Sequence, residues 1–189
     1  MRVVGSGAAR PSVVSITGQT MSKAGAVLNV HPIEERPDIG LKDGDCKIIA
    51  EVLSDLTVQT YRTLLRSQVV HWNVVGPLFQ PTHVLTEQHY TELFAAIDQL
   101  AERIRALGYP VPTGKAAAGL DKAMSLDGRL TARTMVEELV EDHEALVRLI
   151  REGAAQAEDV NDFVTHDLLT ERLAFHEKAI WMLRAIVAD

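Results

Sequence analysis

Apolar residues recur at steps of three and four from Cys46 onward, and this periodicity constrains the fold more than any other feature. Ile49, Leu53 and Leu56 show it at the start of the first such stretch, which runs to about Trp72. Steps of three to four residues place side chains on one face of an α-helix, whereas a half-buried strand needs strict alternation. The sequence therefore predicts a long amphipathic helix in this region.

Three more stretches of the same kind follow, separated by segments rich in residues that favour turns. They predict helices at residues 82–108, 131–157 and 160–187. Thr82 is placed to cap the first of these, because a threonine hydroxyl accepts a hydrogen bond from an amide of the first turn. The predicted fold class is all-α.

A connection of about twenty residues separates the second and third helices, and its Ala116–Met124 segment predicts a short helix. Four long helices with one long connection in the middle are typical of ferritin-like four-helix bundles, where a crossover joins helices two and three. The periodicity alone is equally compatible with an all-α bundle that binds no metal.

Residues 1–45 show no sustained helical period and contain repeated Gly and Pro, which predicts a flexible N-terminal tail before the bundle at 46–189. The first thirty residues carry no acidic residue and three basic ones, Arg2, Arg10 and Lys23. Met21 is an alternative start, so residues 1–20 are either an upstream extension or a remnant of cloning.

The net charge of −7 argues against a nucleic-acid platform and suits a protein that attracts metal cations. We therefore expect weak or no DNA binding at physiological salt. No apolar run approaches the roughly 18–20 residues of a membrane helix, and the N-terminus lacks a signal peptide's apolar stretch. The single cysteine, Cys46, suits a reducing compartment and is expected at an inert surface or core position. These features predict a cytoplasmic protein, located at the nucleoid if it binds DNA.

Five potential metal ligands lie around the first loop and along the second helix: His71, His83, Glu87, Asp98 and Glu102. Two pairs of them, His83 with Glu87 and Asp98 with Glu102, are four residues apart, so each pair shares a helix face. Imidazole combined with carboxylate is the ligand set of non-haem iron.

The separation of these pairs along the helix limits how they can bind a metal. His83 and Asp98 are fifteen residues apart, so their backbones lie about 22 Å apart along the axis. One ion cannot bind both pairs of one chain, because metal–ligand bonds are about 2 Å long. Either the pairs are unrelated, or two chains meet antiparallel across a two-fold axis and share two equivalent sites. No histidine follows a glutamate by three residues, so the Glu-x-x-His motif of intrasubunit di-iron sites is absent.

The ligand motif resembles the Dps family (DNA-binding protein from starved cells), a group of ferritin-like mini-ferritins. The resemblance rests on His71–Phe79 (HWNVVGPLF), on His83, on Asp98–Gly108 (DQLAERIRALG), and on similar residues within 168–184. It covers about residues 45–187, and its spacing is far more selective than a single pair of ligands.

This resemblance implies a twelve-subunit iron-storage cage with di-iron ferroxidase sites shared between subunits. Asp98 and Glu102 would come from one chain, and His71 and His83 from its two-fold partner, with Glu102 as the bridging ligand. The family commonly has aspartate where this chain has Glu87, which puts the geometry of the second, weaker iron site in doubt.

The reaction implied by the resemblance is oxidation of Fe(II) to Fe(III) by hydrogen peroxide, a stress response that protects the cell and its DNA. Zinc is a possible occupant of the site in the isolated protein. One alternative is a nucleoid-associated DNA-binding protein in which iron oxidation is secondary. Another is a helical structural protein whose metal sites have decayed.

Other residues receive simpler interpretations. His89 is expected at the surface and His143 on a solvated charged face, while His166 and His176 are expected to be structural. Trp72 is either a core or interface aromatic or an acceptor of stray oxidising equivalents. Arg103 is expected to pair with a carboxylate across the interface. A group of acidic residues either lines an iron-entry pore or forms a plain exposed face: Glu137, Glu138, Glu141 and Asp142.

Overall fold

The computed structural model describes residues 37–111 and 131–188, which form four long helices. These are α1 (Asp43–Asn73), α2 (Phe79–Ala106), α3 (Ala132–Asp159) and α4 (Phe163–Ile186). The described residues contain no strand, which confirms the all-α prediction. The predicted short helix at 116–124 and most of the predicted tail lie outside the described residues.

The helices pack in a square in which consecutive corners are α1, α2, α4 and α3. The most extensive contacts join α1 to α2 and α3 to α4, and smaller ones join α1 to α3 and α2 to α4. Since α2 and α3 occupy opposite corners, the chain between them must cross from one helix pair to the other. This is the predicted ferritin-like crossover arrangement.

Several helix ends have the residues that helix termini favour. The hydroxyl of Thr131 accepts a hydrogen bond from the Thr134 amide at the start of α3. After α2, the amides of Gly108 and Tyr109 donate to carbonyls of the last turn, and Gly108 adopts a φ of 93°. This is a Schellman motif, which favours glycine because an L side chain is strained at positive φ.

The predicted start of α2 is wrong. The helix begins at Phe79, and Thr82 lies fully buried inside the first turn, where its side chain caps nothing. Pro81 is tolerated there because the first amides of a helix have no intrahelical partner to lose. At the other end of the bundle, α1 begins at Asp43, three residues before the predicted Cys46.

The core consists of aliphatic clusters along the bundle axis. The larger one contains the buried Leu53 of α1, Ile104 of α2 and Leu169 of α4. Cys46 belongs to it and carries a free thiol, which confirms its core interpretation. No helix among the described residues is both long and apolar enough to cross a membrane.

Candidate metal centre

The two histidines of the predicted site lie face to face where α1 ends and α2 begins. The rings of His71 and His83 stack with centroids 3.8 Å apart and planes at 15°. His71 Nδ1 lies 2.9 Å from the carbonyl oxygen of His83, and His83 Nδ1 lies 3.0 Å from the carbonyl oxygen of His71. Each ring is therefore hydrogen-bonded to the main-chain carbonyl of the other histidine.

These reciprocal hydrogen bonds decide which nitrogen of each ring can bind a metal. A carbonyl oxygen only accepts, so Nδ1 of both rings must carry the proton and donate. The lone pair of each neutral ring then lies on Nε2, the tautomer in which a histidine held by a carbonyl can act as a ligand. Both histidines are thus held in a ligand-competent form by their own backbone.

The carboxylates of the predicted site lie on the exposed surface of α2. Asp98 and Glu102 are near its C-terminal end, and Glu87 is one turn from His83. At 100° per residue, these three carboxylates and His83 fall within a stripe about 100° wide. Because α2 is continuous, the histidine end of this ligand stripe at His83 stays about 22 Å from Asp98 and about 28 Å from Glu102 in one chain.

The structure therefore joins His71 to His83 but leaves both well away from Asp98 and Glu102. Among residues 37–111 and 131–188, no three His, Cys, Asp or Glu side chains lie close enough together to hold a metal ion. Trp72, next to His71, is exposed. Its core interpretation is therefore wrong, whereas its interface and redox interpretations stay predictions.

Three other histidines meet inside the bundle, and two of them contradict the prediction. His89 of α2 and His143 of α3 are buried, although they were expected at the surface and on a solvated face. His176 of α4 is buried as well, in the structural role predicted for it. The ring centroids of His89 and His143 lie 5.3 Å apart, and those of His143 and His176 lie 5.0 Å apart.

The surroundings of this histidine cluster keep it neutral. Burial lowers the pKa of His89 to about 4, and burial together with the nearby Arg172 and His89 lowers that of His176 to about 3. Burial also holds the pKa of His143 well below its usual value. Arg172 is itself buried, and its Nη2 donates to Glu92 over 2.8 Å, so the cation nearest the cluster is paired.

Arg103, which follows Glu102 on α2, pairs with a carboxylate of its own chain, and its pairing across an interface stays a prediction. Its Nη2 donates to Asp162 Oδ1 over 2.6 Å and its Nε donates to Thr165 Oγ1 over 2.9 Å. Asp162 also caps α4 by accepting from the Thr165 amide. This ion pair ties the carboxylate end of α2 to the turn between α3 and α4.

Two residues of the predicted acidic group are paired on the surface of the bundle. Arg66 of α1 lies 2.6 Å from Glu138 and 2.8 Å from Asp142 of α3. Both carboxylates are half-buried. The prediction of a plain exposed face is therefore wrong for Glu138 and Asp142. Glu137 and Glu141 are exposed.

Similarity to known proteins identifies the family of this chain. A family model for ferritin-like domains matches residues 53–189. DNA protection during starvation protein 2 of Bacillus anthracis is 34% identical over 142 residues, which span 75% of this chain and 97% of that protein. The chain belongs to the Dps family of ferritin-like proteins.

Other Dps-family and related proteins support the assignment. An uncharacterised low temperature-induced protein of Nostoc sp. is 36% identical over 155 residues, covering 80% of this chain and 87% of the relative. The crystal structure of the Vibrio cholerae Dps protein, described as a ferritin-like diiron-carboxylate protein, superposes with a TM-score of 0.71 at 27% identity. That match covers 81% of this chain and 97% of the Vibrio protein.

Proposed function

We propose that this Dps-family protein is a cytoplasmic ferroxidase and iron-storage subunit that oxidises Fe(II) at sites shared between two chains. The observation that carries the proposal is the ligand stripe of α2, whose histidine and carboxylate ends cannot meet within one chain. Two chains packed antiparallel would bring the histidine end of each α2 to the carboxylate end of the other.

The register of the stripe supports such a dimer. The midpoint between His83 and Glu102 lies between residues 92 and 93, and the midpoint between Glu87 and Asp98 lies at the same place. A two-fold axis through this point would therefore align His83 with the partner's Glu102 and Glu87 with the partner's Asp98. One axis position satisfies both ligand pairs, which unrelated surface residues have no reason to do.

An apolar surface lies at this midpoint. Phe94 is 68% exposed, and it lines a surface cavity of about 250 Å³ together with Leu64 and Tyr90. Burying a phenylalanine side chain contributes about 1.5–3 kcal/mol, so covering this surface favours association. A second copy seated here would bury Phe94 and complete both metal sites at once.

Iron is the substrate in the proposed reaction. The Nε2 atoms of His71 and His83, with the carboxylates of the partner chain, provide the mixed nitrogen and oxygen donors that suit iron. Two Fe(II) ions each lose one electron, and one hydrogen peroxide takes up both electrons and two protons to give two waters. Paired oxidation avoids the single-electron step that would release a hydroxyl radical, and the Fe(III) product is stored within a proposed twelve-subunit shell.

Mixing two inactive variants tests whether the site is shared. One variant is His71→Ala/His83→Ala and the other is Asp98→Ala/Glu102→Ala, and each alone should oxidise Fe(II) with peroxide only at the uncatalysed rate. When the two are unfolded and refolded together, half of the dimers contain one of each, and each such dimer regains one of its two sites. About a quarter of wild-type activity should therefore return.

A matched control uses the exposed Asp167 of α4, which lies outside the ligand stripe. Asp167→Ala should keep wild-type activity. If the mixed variants stay inactive although their subunits exchange, the site is not shared between chains. If each variant alone remains active, the ligand assignment is wrong.

A further inference from the structure

Aromatic rings pack on both sides of the histidine pair. Phe79, the first residue of α2, stacks on His83 with centroids 5.0 Å apart and planes at 28°. Tyr90 meets His71 edge-on, with centroids 5.3 Å apart and planes at 86°. Together with the stack of His71 on His83, these contacts form one continuous column of four rings.

Within this column, the orientation of the His83 ring is fixed by fewer contacts than that of the His71 ring. His71 is buried, with His83 on one side and Tyr90 at its edge, and Thr86 Oγ1 lies 3.4 Å from its Nδ1. His83 is half-buried, and within the described residues its ring makes one hydrogen bond, to the carbonyl of His71. A single hydrogen bond fixes the position of Nδ1 of His83. The tilt of the ring about that atom then depends on what packs against its two faces.

Phe79 covers the face of His83 that points away from His71. Stacked aromatic pairs contribute about 0.5–1.5 kcal/mol beyond the area they bury. A metal ion on Nε2 withdraws electron density from the imidazole, and an electron-poor ring is attracted more strongly by the face of a phenylalanine. The contact therefore favours the metal-bound form of His83 over the free form.

We propose that Phe79 is a positioning residue that holds the His83 imidazole against His71, so that Nε2 of His83 keeps the orientation needed to bind a metal ion. The inference rests on the proposed function, because it assigns to Phe79 a role in the same metal site. It also gives a reason for a large apolar side chain to remain partly exposed at the first position of α2.

The test compares Phe79→Leu, which keeps an apolar side chain but removes the ring, with Phe79→Tyr, which keeps the ring. Metal-free, full-length proteins are titrated with Co²⁺, whose visible spectrum reports ligand number and geometry. Because residues that orient a metal-bound histidine typically change affinity by 10–100-fold, we expect Phe79→Leu to bind Co²⁺ at least about tenfold more weakly. Phe79→Tyr should restore the affinity and the spectrum.

Phe163 provides a matched control, since it also begins a helix and is exposed but makes no ring contact with a histidine in the described part of the chain. Phe163→Leu should bind Co²⁺ like the wild type. Size-exclusion chromatography of every variant checks that the assembly is unchanged. If Phe79→Leu retains wild-type affinity and spectrum, the positioning role is refuted.

A second measurement separates this inference from the proposed function. A crystal structure of metal-free Phe79→Leu should show the His83 ring turned away from its stack on His71, whether or not the protein oxidises iron. An unchanged His83 ring would refute the positioning role by itself. If His83→Ala leaves Co²⁺ binding intact, the proposed site is wrong, and the role of Phe79 in metal binding fails with it.

Discussion

The Nδ1 atoms of His143 and His176 lie 2.8 Å apart inside the bundle, joining α3 to α4 through a single hydrogen bond between two imidazoles. One ring donates and the other accepts, so at least one of the two must be neutral. His143 is 0% exposed and His176 is 1% exposed, so a charge on either ring would be far from water. His89 of α2 and Arg172 of α4 are ionisable groups that lie close enough to lower the pKa of this pair further.

This pair predicts that the folded protein loses stability in mild acid. The folded-state pKa of His176 is about 3 and that of His143 is well below 6.5, whereas both return to about 6.5 in the unfolded chain. Stability is therefore full above about pH 6.5 and falls as pH decreases, by up to about 1.4 kcal/mol per pH unit for each histidine. Urea unfolding at several pH values between 7.5 and 4.5 measures this slope.

Replacing the pair provides the control for the acid effect. His143→Gln/His176→Gln removes both titrating groups, so the variant should be less stable at pH 7.5 but lose less stability on acidification. His166→Gln, at a half-exposed position of α4, should keep the wild-type slope. An equal slope in wild type and double variant would mean that other groups cause the acid sensitivity.

Asp162→Ala should be among the most destabilising single changes. The side chains of Arg103 and Asp162 are only 12% and 1% exposed, so the variant leaves a buried cation without its partner. Removing one member of a buried ion pair costs about 3–5 kcal/mol, and losing the cap of α4 adds about 1 kcal/mol. Urea unfolding at pH 7.5 measures the loss. Asp162→Asn retains an oxygen for the cap and should lose clearly less, and equal losses would contradict this account.

Gly153→Ala should destabilise the bundle although alanine favours helices. A Cβ at Gly153 would lie 2.8 Å from Val52 Cγ1 and 3.2 Å from Leu169 Cδ1, closer than van der Waals contact allows. Overpacking costs about 1–3 kcal/mol, which exceeds the gain of about 1 kcal/mol in helix propensity. Val52→Ala in the same chain removes the closest contact, so the double variant should recover most of the loss in thermal stability. If Gly153→Ala raises the melting temperature by itself, the core is less tightly packed here than described.

DNA binding should be weak at physiological ionic strength. The chain carries a net charge of −7, and its acid-free N-terminal region offers three basic residues. A gel shift at neutral pH should fade as salt rises to about 150 mM, because few phosphate contacts are available and screening reduces each of them. A strong shift that persists at this salt would instead support the nucleoid function.

Sequence periodicity was sufficient to predict the four helices, because each buries one continuous face in the bundle. The start of α2 was missed because Pro81 and Thr82 together look like a helix boundary, yet both fit within a first turn. His143 was misplaced because Glu141, Asp142 and Glu144 surround it in sequence. Its spacing from Leu139 and Leu146, four and three residues, is what places it on the buried face.

The residues of the proposed metal centre were predictable to a different extent. Four of the five predicted ligands lie on α2, so the separation of its histidine and carboxylate ends followed once the helix was known to be continuous. The reciprocal bonding of His71 and His83 could not be predicted, because it depends on how the turn at residues 74–78 brings two helix ends together. Gly76, at a φ of 85°, supplies backbone geometry that most other residues would resist.

The hydrogen bonds between each of these rings and the other's main chain orient the two imidazoles when the chain folds. In the proposed site, the conformational entropy of orienting these nitrogen ligands would therefore be lost once and not at every turnover. An arriving ion would meet two imidazoles that are already oriented, and no loop would have to order or melt when the ion binds or leaves. The rate of the proposed cycle would then depend on the delivery of ions and oxidant more than on rearrangement of the protein.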